Sequence, residues 1–361
     1  MVGARSAGIV WSVAREWVLI TDGGDGQARS SLAAVRALAE GGYRPAVTVS
    51  GPSSLAAASR YCDRRVVVPP VTEPGYAEAV RAELAAWPYH TVLAASDAAL
   101  LALGFPVEHL VNKAELTDRA RQAGLSVPPT RTFSSAGELL AAGDIEFPAV
   151  VKPAISTYPA RAVRSGAELE AVIQGGGPFV VQAYQGEHLR ALAGVVWEEQ
   201  LAAASHQRYL RTWPAECGTA CAAQTAPPDL ELEERVLRLL AGFQGIFQVQ
   251  LAGDQLLDVN PRVYGSLPLA VAAGANLPAV YCDLLSGKKV HPVRARPGVF
   301  YRWLEGDLRR VVWAVRNGRT GFFSALGMLR PHPKAAHSTE SLRDPMPMVA
   351  RLRFAATRYL R

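Results

Sequence analysis

The amino-acid sequence predicts an α/β fold in the first third of the chain and an α+β arrangement after it. Near the N-terminus, apolar β-rich segments alternate with segments of helical periodicity, which is typical of a parallel sheet covered by helices. Further on, two apolar segments separated by Ala252-Gly253-Asp254 predict a β-hairpin that follows a strongly periodic helix. The length of 361 residues is enough for two or three domains.

The first third of the chain begins with a predicted strand, WVLITDGG, a turn, GGDGQARSS, and a helix, SLAAVRALAEGG. Three more strands are predicted in RPAVTVS, RRVVVPP and HTVLAASD, with a helix in GYAEAVRAELAAW. The glycines of GGDGQ lack the full dinucleotide-binding spacing, and no acidic residue stands about 20 positions later. Two interpretations remain open: a turn whose backbone amides bind a small anion, or a purely structural turn.

A second unit begins with VNKAELTDRARQAGLSVPP, which predicts an amphipathic helix ending at Gly124. In SSAGELLAAGD, Ser135 and Glu138 have the spacing of a helix capping box. The predicted strands FPAVVKPA and PFVVQAYQGE then enclose a smaller α+β piece, and LELEERVLRLLAGFQG predicts another helix. The hairpin IFQVQLAGDQLLDVNPR is followed by Gly265-Ser266 and one apolar helix, LPLAVAAGANLP.

Composition excludes several classes of protein. The chain is 49% hydrophobic and 19% charged, and no apolar run approaches the roughly 20 residues that span a bilayer. Arg15 and Glu16 interrupt the apolar N-terminal segment, so we expect no export signal. The four cysteines show no CxxC spacing, which favours a cytoplasmic location.

The basic charge is concentrated at the C-terminal end. Residues 291–361 contain 14 Lys and Arg but only 4 Asp and Glu, together with aromatic residues such as Trp303, Trp313, Phe322 and Phe323. Such a segment could bind nucleic acid or an anionic membrane surface, or it could be an ordinary helical appendage. We favour the appendage and expect no nucleic-acid partner.

Two isolated lysines stand out because the chain otherwise uses arginine for its positive charge. Only Lys113 and Lys152 occur before residue 288. The ammonium group of lysine is a compact point charge that suits phosphate oxygens. The alternative is a lysine whose stem packs on the protein while its amine reaches water.

The predicted hairpin brings oxygen-bearing side chains together. Residues two apart share one face of a strand, so antiparallel pairing places Gln250 beside Asp258 and Asn260. Their oxygens are the ligands that Mg²⁺ prefers, and Arg262 follows two residues later. A cation and a guanidinium could then face one phosphoryl group. The alternative is a polar hairpin that faces solvent.

Taken in order, these segments resemble the ATP-grasp superfamily from about residue 18 to residue 290. The similarity is greatest to the carboxylate–amine ligase-like members, in which an NPR strand end is likewise followed by GS and an apolar helix. The resemblance implies an N-terminal Rossmann-like (pre-ATP-grasp) domain at 1–110 and an ATP-grasp domain at 111–290. The latter would contain a small lid subdomain at about 130–180 and an α+β lobe. A basic helical extension at 291–361 completes the implied architecture.

The resemblance also implies roles for individual residues in a site for ATP and Mg²⁺. Lys113 and Lys152 would contact the phosphates. Adenine and ribose would be bound through the following: the Gln182 side chain, the Ala183 and Gln185 backbones, and Glu187. The magnesium ligands would be Gln250, Asp258 and Asn260. Arg262 would steady the reacting phosphoryl group.

The acid substrate would be held by Arg208 and Arg211, and His206 is either the base for the amine or a surface histidine. This sequence departs from the family in having Gln250 and Asp258 at metal positions that are more often glutamate. It also has PAISTYPARAV in place of a glycine-rich lid loop, where Ser156 and Arg161 are the candidate substitutes.

The implied function is that of an ATP-grasp carboxylate–amine ligase. It would convert a carboxylate to an acyl phosphate and then form an amide, using a small-molecule acid and amine as substrates. Gln250 also favours a bicarbonate-activating enzyme of the carbamoyl-phosphate type. The unusual lid and metal positions favour an inactive ATP-binding protein. Whether the chain forms a homodimer is left open.

Overall fold

The N-terminal part of the chain forms a parallel sheet, as predicted. The computed structural model of the protein describes residues 15–21, 28–51, 53–186 and 188–359. The strands of the first sheet lie in the order β3-β2-β1-β4 and are all parallel. Their bounds are β1 Trp17–Ile20, β2 Arg44–Val49, β3 Arg64–Val67 and β4 Tyr89–Leu93. The helices that follow these strands are α1 Arg29–Glu40, α2 Tyr76–Ala86, α3 Asp97–Leu103 and α4 Glu108–Val111.

Apolar side chains on both faces explain why this sheet is covered on both sides. Val18 and Ile20 pack into the core on the side of α1, whereas Leu19 between them packs into the core that contains α2 and α3. Successive side chains of a strand point to opposite faces, so a continuous apolar run is what a buried parallel strand requires. The GGDGQ turn lies outside the described residues.

The predicted smaller α+β piece has a sheet and a core of its own. Its strands lie in the order β5-β8-β6-β7. They span β5 Thr130–Phe133, β6 Ala149–Pro153, β7 Arg161–Val163 and β8 Phe179–Ala183. The two helices on this sheet, α6 Ala136–Ala141 and α7 Gly166–Val172, begin at serine caps, and Ser135 accepts from the Glu138 amide as predicted. Phe133, Leu139 and Phe179 are buried in its core.

The largest sheet carries the hairpin. Its strands lie in the order β13-β12-β9-β10-β11-β15-β16, with β14 paired to β10. They span β9 Leu189–Trp197, β10 Gln200–Trp213, β11 Thr219–Thr225, β12 Gly245–Ala252, β13 Gln255–Asn260, β14 Val293–Arg294, β15 Phe300–Arg302 and β16 Ala336–His337. The predicted pairing is present, since Gln250 lies opposite Asp258 and Gln248 opposite Asn260. Helices α5 Lys113–Gln122 and α8 Leu230–Leu239 pack against this sheet.

The segment after the hairpin differs from the prediction of one apolar helix. It forms two short helices, α9 Leu267–Ala272 and α10 Leu277–Leu285. Gly274 has φ +96°, a left-handed conformation that ends the first helix. The apolar pattern continued across this break because both helices pack into one core with α1.

Residues 291–361 were predicted as a helical extension, and they are also part of the large sheet. They supply β14, β15 and β16 as well as α11 Leu304–Arg316, α12 Phe322–Met328 and α13 Met346–Tyr359. Asp344 connects this C-terminal segment to the N-terminal part of the chain. Its Oδ2 accepts from Arg36 Nε at 2.9 Å and from Ser59 Oγ at 2.7 Å. Arg36 on α1 also donates to the Ser338 and Thr339 carbonyls.

We expect Asp344→Ala to lower the free energy of unfolding by about 3–5 kcal/mol, because it leaves the mostly buried Arg36 without its counter-charge. Urea unfolding followed by circular dichroism measures the effect. Asp63→Ala is the matched control, since it removes an exposed ion pair with Arg44 and should cost less than about 1 kcal/mol. Equal losses in the two variants would contradict the anchoring role of Asp344.

Candidate active site

A cleft of about 860 Å³ lies between the β5–β8 sheet and the large sheet. Its size is in the range of small-molecule and cofactor sites. Its walls are formed by the β5–β8 sheet, the β12–β13 hairpin, the loop after that hairpin and the C-terminal segment. The polar side chains that line it include Lys113, Lys152, Ser156, Arg161, Gln182, Gln185, Gln248, Gln250, Asp258, Asn260, Arg262, Arg309 and Arg351.

Both isolated lysines are in this cleft and are buried, at 5% exposure for Lys113 and 6% for Lys152. Lys113 begins α5, which is capped by Asn112, and its Nζ donates to Ser156 Oγ at 2.8 Å and lies 3.5 Å from Asp258 Oδ1. Lys152 is on β6, and its Nζ donates to the Leu257 carbonyl at 2.7 Å. The two lysines therefore do not simply extend into water.

Burial changes the protonation of Lys152. The pKa of Lys152 is lowered to about 8, chiefly because burial removes its solvation; the charge of Asp258 opposes this effect, and the charge of Lys113 adds to it. The site thus holds a cation whose charge is costly until an additional anion comes close. A ligand that carries several negative charges would provide that compensation.

The hairpin side chains form one hydrogen-bonded set. The Gln250 amide nitrogen donates to Tyr209 Oη at 3.2 Å and to Gln248 Oε1 at 3.4 Å. The Gln248 amide donates in turn to Ser266 Oγ at 3.2 Å. Tyr209 is on β10, and its burial raises its pKa, so its phenol stays protonated and can orient both amides. Sequence reasoning missed Tyr209 because nothing local marks it.

The oxygen donors of the hairpin fit Mg²⁺ only in combination with an anionic ligand. Within the part of the chain that the structure describes, no group of three or more His, Cys, Asp or Glu side chains is arranged to hold a metal ion. Asp258 instead contributes one carboxylate beside the amides of Gln250 and Asn260. Mg²⁺ is commonly bound by one or two carboxylates plus substrate phosphates, which is the arrangement that this donor set allows.

Arg262 is held in place by an acidic residue that sequence reasoning missed. Its Nε donates to Asp97 Oδ1 at 2.6 Å, and its Nη2 donates to Asn260 Oδ1 at 2.6 Å. Asp97 is buried at the first position of α3, just after the Ser96 cap. Its signal in the sequence was an acidic residue shortly after β4, where the carboxyl ends of parallel strands commonly form sites.

The predicted adenine-binding residues line the other end of the cleft, with one difference. The Ala183 N–H already donates to the Pro129 carbonyl at 3.0 Å, so of the Ala183 backbone only the carbonyl could contact a ligand. Gln185 Nε2 donates to that carbonyl at 3.1 Å, and the Gln182 amide donates to Thr130 Oγ1. Glu187 lies outside the described residues.

The PAISTYPARAV segment, which joins β6 to β7, contacts the tip of the β10–β11 hairpin. Cys217 Sγ donates to the Ala160 carbonyl at 3.3 Å, and Arg164 forms an ion pair with Glu216. Ser156 and Arg161, the candidate substitutes for a glycine-rich loop, both line the cleft. Through Ser156, the loop also contacts Lys113.

Three residues assigned to the acid and amine substrates are not in the cleft, which corrects the prediction. Arg208 is exposed and donates to Gln224 Oε1 at 2.6 Å, because it points to the side of β10 opposite Tyr209. Arg211 forms two hydrogen bonds with the fully buried Asp307. His206 is buried and forms a hydrogen bond with Glu233, with 2.8 Å between His206 Nε2 and Glu233 Oε1.

The C-terminal segment provides the cleft wall in their place. Trp303, Arg309 and Arg351 line the same cleft as Arg262 and Gly265. The Arg29 guanidinium stacks 3.8 Å from the centre of the Trp303 ring and donates to Thr219 Oγ1 at 2.9 Å. The Trp303 ring also packs directly on Gly306, because a Cβ at that position would lie only 2.3 Å from the ring. Composition had favoured a basic helical appendage.

Solved structures with the same arrangement identify the fold. The chain is similar to an L-amino acid ligase from Bacillus licheniformis, with 18% identity and a TM-score of 0.57, over 77% of this chain and 78% of that one. It is also similar to carboxyaminoimidazole ribonucleotide synthase from Aspergillus clavatus complexed with ATP, with 16% identity and a TM-score of 0.60, over 79% and 81% of the two chains. The chain has the ATP-grasp fold. The chain is also similar to a biotin carboxylase–β,γ-ATP complex from Campylobacter jejuni, with 12% identity and a TM-score of 0.54, over 76% of this chain and 71% of that one.

Sequence comparison agrees with this fold over a shorter stretch. A family profile described as ATP-grasp in the biosynthetic pathway with Ter operon matches residues 226–307 of the chain. That range contains the hairpin, Arg262 and Trp303. No curated protein matches the chain in sequence.

Proposed function

We propose that this ATP-grasp protein is a carboxylate–amine ligase that makes an amide through an acyl phosphate and releases ADP and phosphate. The observation that supports the proposal best is that two buried lysines, one hairpin carboxylate and a clamped arginine face a single cleft. The similar solved structures support it further, since they include a ligase and complexes with ATP and ADP.

The nucleotide would lie along the cleft from the β5–β8 sheet to the β12–β13 hairpin. Gln182, the Ala183 carbonyl and Gln185 would bind adenine, and Glu187 would be the ribose ligand. Lys113 and Lys152 would neutralise the phosphates, which offsets the cost of their burial. Asp258, Asn260 and Gln250 would hold Mg²⁺, which when bound neutralises phosphate charge and aligns the terminal phosphoryl group.

The chemistry needs little covalent participation from the protein. An oxygen of the substrate carboxylate attacks the γ-phosphorus, and the bond from that phosphorus to the bridging oxygen of ADP breaks. The amine nitrogen then attacks the acyl carbon, the carbon–oxygen bond to phosphate breaks, and the amine loses a proton to solvent. Arg262 would stabilise the charge on the transferring phosphoryl group, and the remaining work is positioning.

The acid substrate would lie at the Trp303 end of the cleft, because Arg208 and Arg211 are directed elsewhere. We expect Arg309→Gln to raise the KM for the acid about tenfold while the KM for ATP stays unchanged, since a charge-assisted contact to a carboxylate contributes on the order of 1.5–3 kcal/mol. Initial-rate kinetics with each substrate varied in turn measures the two constants. Arg316→Gln, farther along α11 and exposed, is the matched control. An equal rise in both KM values for Arg309→Gln would contradict this placement.

The test of the proposed function is ADP release from Mg·ATP with a panel of carboxylates and amines, each alone and in pairs. The ligase proposal predicts release that needs an acid and product that needs an amine as well. Release with bicarbonate and no organic acid would instead indicate the bicarbonate-activating alternative. ATP binding without turnover under any combination would indicate an inactive nucleotide-binding protein.

We expect the affinity for a non-hydrolysable ATP analogue, measured without Mg²⁺, to be constant below pH 8 and to fall above it. The free protein holds Lys152 with its pKa lowered to about 8 by burial, and bound phosphates raise that pKa again. Binding therefore takes up a proton above pH 8, and the affinity falls by up to about tenfold per pH unit. Calorimetric titration across this range measures the slope.

The control for this pH dependence is Lys152→Arg, because arginine stays charged throughout the range and should give a flat profile. Lys288→Arg changes an exposed lysine that is paired with Asp283, and it should keep the wild-type fall. If Lys152→Arg lost affinity above pH 8 as steeply as the wild type, another group would be responsible.

A further inference from the structure

Three of the four acidic side chains of the C-terminal segment 291–361 are paired with arginines of the protein. Glu305 pairs with Arg351 and Arg309 at 2.7 Å each, and Asp307 pairs with Arg302 as well as with Arg211. Asp344 is fully buried against α1. The basic side chains that stay exposed between α11 and β16 are Arg316, Arg319, Arg330 and Lys334. The surface of this segment is therefore strongly positive.

The same segment exposes apolar side chains in a helical pattern. Leu304, Leu308, Val312 and Val315 are exposed along α11 at intervals of four, four and three residues, which places them on one stripe. The opposite side of α11, with Gly306, Arg310 and Ala314, is buried. On α12 the exposed apolar side chains are Phe322, Phe323 and Leu326. We call these seven side chains the α11–α12 apolar surface.

This degree of exposure is unusual. Phe323 is 85% exposed and Phe322 is 64% exposed, although burying one such side chain is worth about 1.5–3 kcal/mol. Exposed apolar groups that are contiguous and bordered by polar residues mark interaction sites. Basic residues beside apolar and aromatic side chains are the pattern of helices that lie in a membrane interface.

We propose that the α11–α12 apolar surface docks on an anionic lipid membrane. Its leucine, valine and phenylalanine side chains would enter the interface, and Arg316, Arg319, Arg330 and Lys334 would lie near the negatively charged headgroups. Each basic residue near such a surface contributes about 1 kcal/mol, so the apolar and electrostatic terms act together. No helix among the described residues has the length and apolar character to cross a bilayer.

Charge argues against two other occupants. In a symmetric dimer the same surface of each copy would meet, which would bring Arg316 and Arg319 of one copy against those of the other. Nucleic acid would pair with the arginines, but its phosphate backbone offers no apolar surface against which the exposed phenylalanine and leucine side chains could be buried. An anionic lipid surface complements both the charge and the apolar side chains.

The test is co-sedimentation of the full-length protein with vesicles of phosphatidylcholine alone and with vesicles of equal parts phosphatidylcholine and phosphatidylglycerol. We expect binding to the anionic vesicles that weakens with added salt, and at least tenfold weaker binding to the neutral ones. Phe322→Ser with Phe323→Ser should lower the partition coefficient about tenfold or more. Arg316→Gln with Arg319→Gln should lower it about fivefold per arginine.

Matched controls come from the N-terminal sheet. Val67→Ser replaces another apolar side chain that is 84% exposed, and Arg65→Gln removes another exposed arginine. Both should bind vesicles as the wild type does. Binding of the ATP analogue, measured on every variant, should not change, so the result does not depend on the proposed ligase activity.

Several outcomes would overturn the proposal. One is equal binding to neutral and anionic vesicles, and another is wild-type partitioning of the phenylalanine variant. A wild-type dimer in sedimentation velocity that Leu308→Ser converts to a monomer would show that a second copy covers this surface. Preferential binding to a DNA duplex that competes away the vesicles would assign the arginines to nucleic acid.

Discussion

In Asp258→Asn, we expect stabilisation by a non-hydrolysable ATP analogue to lose its dependence on Mg²⁺, and turnover to fall by about a hundredfold or more. Asp258 is the one carboxylate beside the two amide donors of the hairpin, so the variant leaves three neutral oxygens at this position. Neutral oxygens alone bind Mg²⁺ poorly. Thermal unfolding with the analogue, with and without Mg²⁺, measures the first effect, and ADP release measures the second.

The variant changes the lysines as well as the metal position. Asp258 lies 3.5 Å from Lys113, and its charge raises the pKa of Lys152 against the effect of burial. Without that charge, Lys152 loses its proton at a lower pH, so binding of the analogue without Mg²⁺ should weaken most at alkaline pH. A metal ligand with no electrostatic link to the lysines would leave metal-free binding unchanged.

Asp254→Asn is the matched control for Asp258→Asn. It removes a carboxylate from the turn of the same hairpin, where Asp254 is exposed and pairs with Arg190 outside the cleft. This variant should keep both the Mg²⁺-dependent shift and turnover. If Asp258→Asn retained a full Mg²⁺-dependent shift, the oxygen donors of the hairpin would not form the metal site.

The local pattern of the sequence was sufficient for the strands of the N-terminal sheet and for the hairpin. Period-two alternation on either side of the turn predicted that Gln250 lies beside Asp258 and Asn260, and the structure pairs Gln250 with Asp258 and Gln248 with Asn260. Serine followed three residues later by glutamate placed the start of α6. In these cases the information lies within a few residues, because the backbone geometry of a strand, a turn or a cap is decided locally.

Partners that are distant in sequence could not be predicted in this way. Asp97 and Arg262 are 165 residues apart, and they meet only because the end of the N-terminal sheet lies next to the β12–β13 hairpin of the large sheet. Arg208 and Tyr209 are neighbours on β10, so their side chains point to opposite sides, and nothing in the sequence says which side faces the cleft. The prediction chose Arg208, whereas Tyr209 is the one in the cleft. The orientation of a strand relative to another domain is a tertiary property.

The second large effect is expected at Arg262. We expect Arg262→Lys to lower kcat about 10²–10³-fold while the affinity for the ATP analogue changes little, because a preorganised donor aimed at the transferring group acts mainly in the transition state. Arginine reaches Asp97 and Asn260 at the same time, with both distances at 2.6 Å. A single ammonium group cannot reproduce that planar arrangement.

Lysine is the informative substitution because it keeps a positive charge beside Asp97. Arg262→Ala would leave the buried Asp97 carboxylate unpaired, and a loss of about 3–5 kcal/mol in stability would obscure the catalytic effect. Arg190→Lys provides the control. Arg190, like Arg262, bonds two side chains, but they are Asp229 at the start of α8 and Asp254 in the hairpin turn, outside the cleft. It should leave kcat unchanged.

We expect Asp97 to act on catalysis by positioning the Arg262 guanidinium. Asp97→Asn keeps a hydrogen-bond acceptor for Arg262 Nε but removes the charge that holds the guanidinium, so we expect kcat to fall by a smaller factor, about tenfold. Combined with Arg262→Lys, it should add little further loss, because both changes disturb one unit. Additive losses in the double variant would mean that Asp97 contributes through another route, such as the stability of α3, and that Arg262 does not depend on it for its position.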